Sequence, residues 1–540
     1  MASSLSIVPV TATVAVATDP PEASPATASG IANLPPPVDP GQEAVPAPLR
    51  PWHGEDKITG WFITIIITGL AAFTRLWDVG IPSNKMFDEA YYATEAQEML
   101  RWGYESNPGF MFIVHPPIGK WLIALSSAVW GDNSTGWRVA PAIAGTLCVF
   151  LIIRIARRMF RSNLLGGIAG LLLTMEGISL VLSRTALLDI FLQLFVLAGF
   201  GALVVDRDQM RGRLARFIAE GGDPRTYLPA LGPRPWRLIA GVMLGVACAV
   251  KWSALSFLIF LVILSLLWDR GAFKSAGVRS PWSTAFRRSY VGAFFSLFLA
   301  PIGAYLLSWL GWWAGENSWN RHWADTNSGE GPLGWLPGWL QSLLHYHDQA
   351  YKFHESLTQN HPYQANPWTW LIMGRPVPFA YYGTPDGVDD HARCGAAKCA
   401  SEVLLIGTPL MWWAFTPAVI WCLWHWATTR DWRAGSVLLA FIPGWLVWLR
   451  YGNRTMFVFY TAPLIPFLVI GLTLALGTLL GPARTPSLRL LWYRPNWRVF
   501  GVAAYLGVVV ADFIWMWPIF TNVTLTWSQW HARIWFQSWI

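Results

Sequence analysis

Apolar runs and polar breaks alternate along this chain on the length scale of a bilayer. About 20 apolar helical residues cross the roughly 30 Å of hydrocarbon. Runs near that length fall at about 58–77, 137–156, 163–182, 186–205, 236–252, 253–269, 289–313, 403–425, 435–449, 455–479 and 498–519. They predict about eleven transmembrane helices, with Lys251 at the break between two of them. A shorter run around Trp121–Leu125 is too short to span and predicts an interfacial helix.

The polar positions sort these runs by side. Tight basic clusters, such as Arg154/Arg157/Arg158/Arg161, Arg207/Arg211/Arg213/Arg216 and Arg484/Arg489/Arg494/Arg498, fall in alternate connections. The positive-inside rule puts those connections and the N-terminus in the cytoplasm, and the C-terminus outside. Residues 1–57 begin with an Ala-, Pro- and Thr-rich stretch without a basic segment followed by an apolar one, which reads as a disordered cytoplasmic tail rather than a signal peptide. Residues 58–540 form the membrane domain. Two outside segments, 78–136 and 314–402, are too long to be plain connectors. The second holds most of the histidines.

Composition agrees with the pattern. Of 540 residues, 54% are hydrophobic and only 13% charged, against about 25% charged in soluble domains. The 36 Trp suit membrane interfaces. The net charge of +8 does not make a nucleic-acid binder, because the basic residues sit in short loops between apolar runs. Five Cys give no zinc pattern, and Cys148, Cys248 and Cys422 lie in apolar runs as packing residues.

Candidate chemistry gathers in the first outside segment. Asp88 and Glu89 are adjacent carboxylates at a membrane border. A solvated loop accounts for such a pair; so does a general base that takes a proton from a hydroxyl. His115-Pro116-Pro117-Ile118-Gly119-Lys120 follows in the same segment, and Arg75 and Arg138 close and open the flanking spans. Arg75, Lys120 and Arg138 are thus expected to converge near the acids, where cations suit a lipid phosphate. Snorkelling anchors at helix ends are the alternative. Arg184 and Asp189 are either an ion pair between helices or donor contacts, and Lys251 is read the same way. His347, Tyr351 and His354 follow a helical period over 346–357, which predicts a helix lying on the bilayer with those groups at the headgroups.

Phe87-Asp88-Glu89, Asn107-Pro108-Gly109, Val114-His115-Pro116-Pro117 with Gly119-Lys120, and Gly136-Trp137-Arg138 resemble the protein O-mannosyltransferases of the bacterial, actinobacterial type. The resemblance continues through Arg184, Leu187-Leu188-Asp189, Lys251-Trp252, His361-Pro362-Tyr363, Pro367-Trp368-Thr369-Trp370, Cys394–Cys399 and Arg454 with Phe459-Tyr460. It covers about 58–540. Two features depart from the eukaryotic members: no β-trefoil domain fits in the second outside segment, and Ile113 stands where they usually place Asp.

The resemblance implies an all-α polytopic GT-C-type fold. It also implies transfer of mannose from polyprenyl-phosphate mannose to Ser/Thr hydroxyls of exported proteins, with the export channel as a further expected partner. The expected reaction is a single displacement without metal or cofactor. Asp88 would be the base and Glu89 would position acceptor or water, although the sequence does not separate the two. Arg138, with Lys120, Arg75 and His115, would hold the donor phosphate. His361, Trp368 and Trp370 would bound the acceptor groove; interfacial anchoring accounts for the tryptophans equally well. Cys394 and Cys399, in an outside loop, are expected to form a structural disulfide, with free thiols as the alternative. A lipid transporter, and a GT-C enzyme for another lipid-linked sugar, are the rival readings.

Overall fold

The computed structural model describes residues 45–50, 56–106, 114–228, 232–327, 329, 333–383, 394–481 and 496–540. Asn107-Pro108-Gly109, Ile113 and residues 1–44 of the expected tail lie outside the described residues. The chain is a bundle of antiparallel helices, with the long connections gathered at one end. The main helices are α1 (Lys57–Leu76), α2 (Glu89–Trp102), α3 (Ile118–Trp130), α4 (Ser134–Phe160), α5 (Asn163–Thr174), α6 (Gly177–Leu182), α7 (Asp189–Ala219), α8 (Pro235–Cys248), α9 (Ala254–Ser275), α10 (Pro281–Leu307), α11 (Gly338–Ser356), α12 (Pro409–Thr429), α13 (Trp432–Leu449), α14 (Val458–Leu480) and α15 (Trp497–Phe520). Among the described residues, α1, α4, α7, α9, α10, α13, α14 and α15 are long and apolar enough to cross a membrane. The other three expected spans correspond to the shorter α5 and α8 and to α12.

The differences from expectation have local causes. The run 163–182 breaks at Met175–Glu176, because the Glu176 carboxylate accepts from the backbone N–H of Ile178 and Ser179 (3.0 and 2.6 Å) and starts a new helix. The run 403–425 begins as a strand. Cys399–Leu405 (β2) is buried at every position, and periodicity alone does not tell such a strand from a helix. β2 pairs antiparallel with Val377–Gly383 (β1) and with Leu525–Thr526 (β3), so the fold is helical with one small sheet. Helix α2 was not expected from the pattern.

The expected tail also changes at its end. Residues 45–50 are docked rather than free. Val45 and Leu49 are buried against Met210, Leu214 and Phe273, and Arg211 donates to the Pro48 carbonyl at 3.0 Å. The gain from burying Leu49 outweighs what Ala/Pro-rich composition suggests.

The core centres on α7, which packs against α4, α8, α9 and the first turns of α14. Helix α8 meets α10 through small residues. A Cβ added at Gly241 would lie 1.7 Å from the Ser296 carbonyl, and one at Gly245 would lie 2.4 Å from the Pro301 carbonyl. The contact falls on the π-helical turn Phe294–Leu299 of α10. With lipid on both sides there is little hydrophobic drive between helices, so close backbone approach supplies the attraction. Gly241→Ala should therefore destabilise the protein by roughly 1–3 kcal/mol, read as a lower thermal midpoint in detergent, while Ala at Gly501, where nothing lies within 4 Å, leaves it unchanged.

Candidate active site

Most charged groups at the loop end are consumed by the protein itself. The Arg138 guanidinium is 0% exposed and donates to both Glu89 oxygens at 2.7 Å. It also donates to the carbonyls of Pro82 (2.5 Å) and Asn84 (2.9 Å). Glu89 is likewise fully buried and accepts further bonds from the Met86 and Ala186 N–H groups, each at 2.8 Å. Lys120 is buried between Glu105 (2.5 Å) and Glu95 (3.1 Å), and Tyr346 donates to Glu105 at 3.2 Å. Arg75 points between helices, towards the Ala71 and Leu173 carbonyls. Arg75, Lys120 and Arg138, expected to hold a lipid phosphate, are each directed at acceptors within the protein. A buried cation needs acceptors wherever it lies, and Lys120 and Arg138 have carboxylates while Arg75 has backbone carbonyls.

Arg184 and Asp189 do not pair. Arg184 donates to the carbonyls of Thr74, Arg75, Trp77 and Asp78 at 2.5–3.3 Å, closing the open C-terminal end of α1. Asp189 accepts from Lys251 Nζ at 2.7 Å instead. The rings of Phe459 and Tyr460 lie 5.9 and 5.6 Å from that ammonium.

Asp88 stands apart from its neighbour. It is half-buried at the start of α2, and its carboxylate has no hydrogen-bond partner among the described residues. Burial pushes its pKa up to about 7; the Lys251 charge opposes the rise and Asp189 adds to it. One of two adjacent acids is therefore saturated and the other poised. Phe87, just before them, has φ +48° and packs against Phe379, Phe457 and Phe459 at 5.0–5.7 Å between ring centroids.

A second group closes the site from α11. The His115 ring lies 6.0 Å from Tyr92 and 5.2 Å from His354. Burial, with Lys251 and His354 nearby, holds its pKa well below the usual range, so it is neutral and not a fourth cation. His354 Nε2 donates to the Val114 carbonyl at 2.9 Å, and its Nδ1 accepts from Arg454 at 3.2 Å. Burial, then the Arg454 charge, holds its pKa down at about 4. His347 Nδ1 donates to the Leu343 carbonyl at 2.7 Å, and its Nε2 accepts from Tyr305 at 2.6 Å; Tyr305 accepts from Trp252 at 3.0 Å. His347 and His354 thus face inward, contrary to the headgroup expectation. Only Tyr351 is exposed, bonded to Glu355 at 2.6 Å.

Of the expected acceptor residues, His361 lies 5.1 Å from the Phe457 ring and Trp368 is 64% exposed against Trp445. Trp370 is buried and donates to the Ala365 carbonyl at 3.1 Å. Cys394 and Cys399 are disulfide-bonded at the start of β2. Among the described residues, no three His, Cys, Asp or Glu side chains are grouped to hold a metal ion. Sequence reasoning gave no role to Glu95, Glu105 or Phe379, which show no pattern of their own, and underweighted Lys251, whose position at a span boundary was the available signal.

Two family profiles described as dolichyl-phosphate-mannose-protein mannosyltransferase match residues 65–137 and 114–213. A third, the C-terminal four TMM region of protein-O-mannosyltransferase, matches 339–539. The polyprenol-phosphate-mannose–protein mannosyltransferase of Mycolicibacterium smegmatis (strain MKD8) is 40% identical over 512 residues, 93% of this chain and 96% of that protein. Its counterpart in Corynebacterium glutamicum is 35% identical over 510 residues, 92% of this chain and 96% of that protein. The chain belongs to the protein O-mannosyltransferase family. In fold, this mannosyltransferase resembles the S. cerevisiae Pmt1–Pmt2 complex bound to the sugar donor, with TM-score 0.69 at 14% identity over 92% of this chain and 94% of that one. ArnT from Cupriavidus metallidurans in the apo state gives TM-score 0.50 at 15% identity over 87% and 77%. The fold is of the GT-C type.

Two outcomes follow from the buried groups of the mannosyltransferase. Arg138→Leu strands the Glu89 charge and should cost roughly 3–5 kcal/mol of stability, seen as loss of folded protein by size exclusion. His354 takes up a proton more readily unfolded, near pH 6.5, than folded, near pH 4. Its contribution is fully present above pH 6.5 and is lost as pH falls towards 4. The thermal midpoint of the wild type should therefore drop more over that window than that of His354→Gln.

Proposed function

We propose that the protein transfers mannose from polyprenyl-phosphate mannose to Ser/Thr hydroxyls of exported proteins, by an inverting single displacement with Asp88 as the base. The observation that carries this reading is the contrast between the two adjacent acids. Glu89 is saturated by Arg138 and two backbone donors, while Asp88 is unpartnered among the described residues and lies in the field of Lys251. The acceptor oxygen attacks C1 of the mannose as the C1–O bond to phosphate breaks. The acceptor proton passes to Asp88, and the polyprenyl phosphate leaves with the negative charge. A carboxylate with a pKa near the working pH suits that transfer.

The departing phosphate needs a cation. With Arg75, Lys120 and Arg138 enclosed in the scaffold, Lys251 takes this role. Its ammonium has three donors, of which Asp189 uses one, and the Phe459 and Tyr460 rings flank it. Neutral His115 supplies a hydrogen bond rather than charge. His361 and Trp368 lie on the acceptor side. The site faces outside, with the N-terminus in the cytoplasm and the C-terminus outside; the arginine clusters at the opposite end of the bundle support that orientation.

The test is transfer of labelled mannose from polyprenyl-phosphate mannose to a Thr/Pro-rich peptide in membranes. Asp88→Asn should slow it by roughly 100-fold or more. Wild-type kcat/KM should rise with pH through about 7, as Asp88 loses its proton. A wild type that moves the lipid across the bilayer but mannosylates nothing would reverse the reading in favour of a transporter.

A further inference from the structure

A non-glycine residue at φ +48° suffers a close contact between its Cβ and the backbone, and persists there only when its surroundings over-determine it. Phe87 is such a residue, one position before Asp88. Three rings hold it. Phe379 stacks on it at 5.0 Å with planes 17° apart, and Phe457 and Phe459 meet it edge-on at 5.6 and 5.7 Å. Phe457 and Phe459 are themselves stacked at 5.3 Å, forming a small wall at the entry to α14.

Phe379 reaches this place through an irregularity in the sheet. Pro378 pairs with Leu404 and Ala380 with Val403, which leaves Phe379 unpaired in a β-bulge. A bulge turns one side chain out of the alternation and recurs beside active sites for that reason. On the other flank of Asp88, Glu89 is fixed by Arg138, and its carboxylate accepts from the Met86 N–H, bracing the backbone on both sides of Phe87.

We infer that Phe87 is a positioning residue, latched by Phe379 on the β1 bulge and by the Phe457/Phe459 wall, and that this latch sets the Asp88 carboxylate against the acceptor hydroxyl. β1 is then the strut through which the second large connection, more than 290 residues further along the chain, aims the base. The inference rests on the reading of Asp88 as the base. Without the ring contacts only the Met86–Glu89 hydrogen bonds oppose relaxation of the strained Phe87 backbone towards negative φ, and that relaxation swings Asp88 away while leaving donor and acceptor subsites in place. A displacement of an ångström at a reacting group costs roughly 100-fold in rate.

The test measures kcat, KM for donor and peptide, and the thermal midpoint for Phe87→Ala, Phe379→Ala, the double variant, Phe379→Tyr and Phe87→Gly. Each Ala variant should lower kcat roughly 10- to 100-fold, with both KM values within about twofold of wild type. The double variant should be no slower than the slower single one, since both break the same latch. Phe379→Tyr, which keeps the ring, should recover most of the rate. Phe87→Gly removes the backbone strain together with the ring, so it should be slow without a matching loss of thermal stability.

The latch is overturned if both Ala variants keep full kcat, if their losses multiply, or if the change lies in KM, which would put the rings in contact with substrate. It is also overturned if kcat falls only in step with the thermal midpoint and Phe379→Tyr recovers nothing. Asp88→Asn, assayed alongside, separates the two readings. An inactive Asp88→Asn with fully active Ala variants defeats the latch alone, whereas an active Asp88→Asn defeats the base assignment.

Discussion

The loop end of this protein is organised around one buried ion pair. Glu89 and Arg138 are both fully enclosed, and each is satisfied to its full hydrogen-bonding capacity. Two charges taken out of water return little net stability, but leaving either one alone is severe. The pair therefore acts as a constraint rather than a source of energy. It forces the 79–86 loop, the start of α2, the start of α4 and the Ala186 backbone into one arrangement, since only there are all its partners present. Asp88 inherits its place from that arrangement.

The same rule divides the remaining charges. Arg184 caps α1, Lys120 joins α2 to α3 and α11, and Arg75 ties α1 to α5. Each cation satisfied by the fold is lost to a ligand. Among the described residues, two groups stay incompletely satisfied: the Asp88 carboxylate has no hydrogen-bond donor, and the Lys251 ammonium has Asp189 as its acceptor. Burial, without donors to offset it, raises the Asp88 pKa to about 7.

Much of the fold was legible because bilayer crossing imposes a length on apolar runs, and basic clusters mark alternate connections. Errors fell where that logic has no grip. A fully buried strand such as β2 has the hydropathy of a helix, and the break at Glu176 hides a capping carboxylate inside an apolar run. The candidate site could be read only as a neighbourhood: Asp88, Glu89, His115 and Lys251 were all singled out in the sequence. Their hydrogen-bond partners could not be read, because the saturation of the Glu89–Arg138 pair depends on groups such as Ala186 N–H and Asn84 C=O, and backbone donors and acceptors leave no mark in the sequence. Phe379 was invisible for a similar reason, since a bulge is a register event between two strands.

The docked segment at 45–50 carries a consequence for how the chain is made. Its pocket is built from Met210, Leu214 and Phe273. During synthesis Leu49 emerges more than 220 residues before Phe273, and chains are built at about 5–20 residues per second. For many seconds, then, the segment has no place to bind. Its seating is a late event in biogenesis, a seal applied across α7 and α9 after both have been inserted, and it reports on the completed pairing of two helices made long after it.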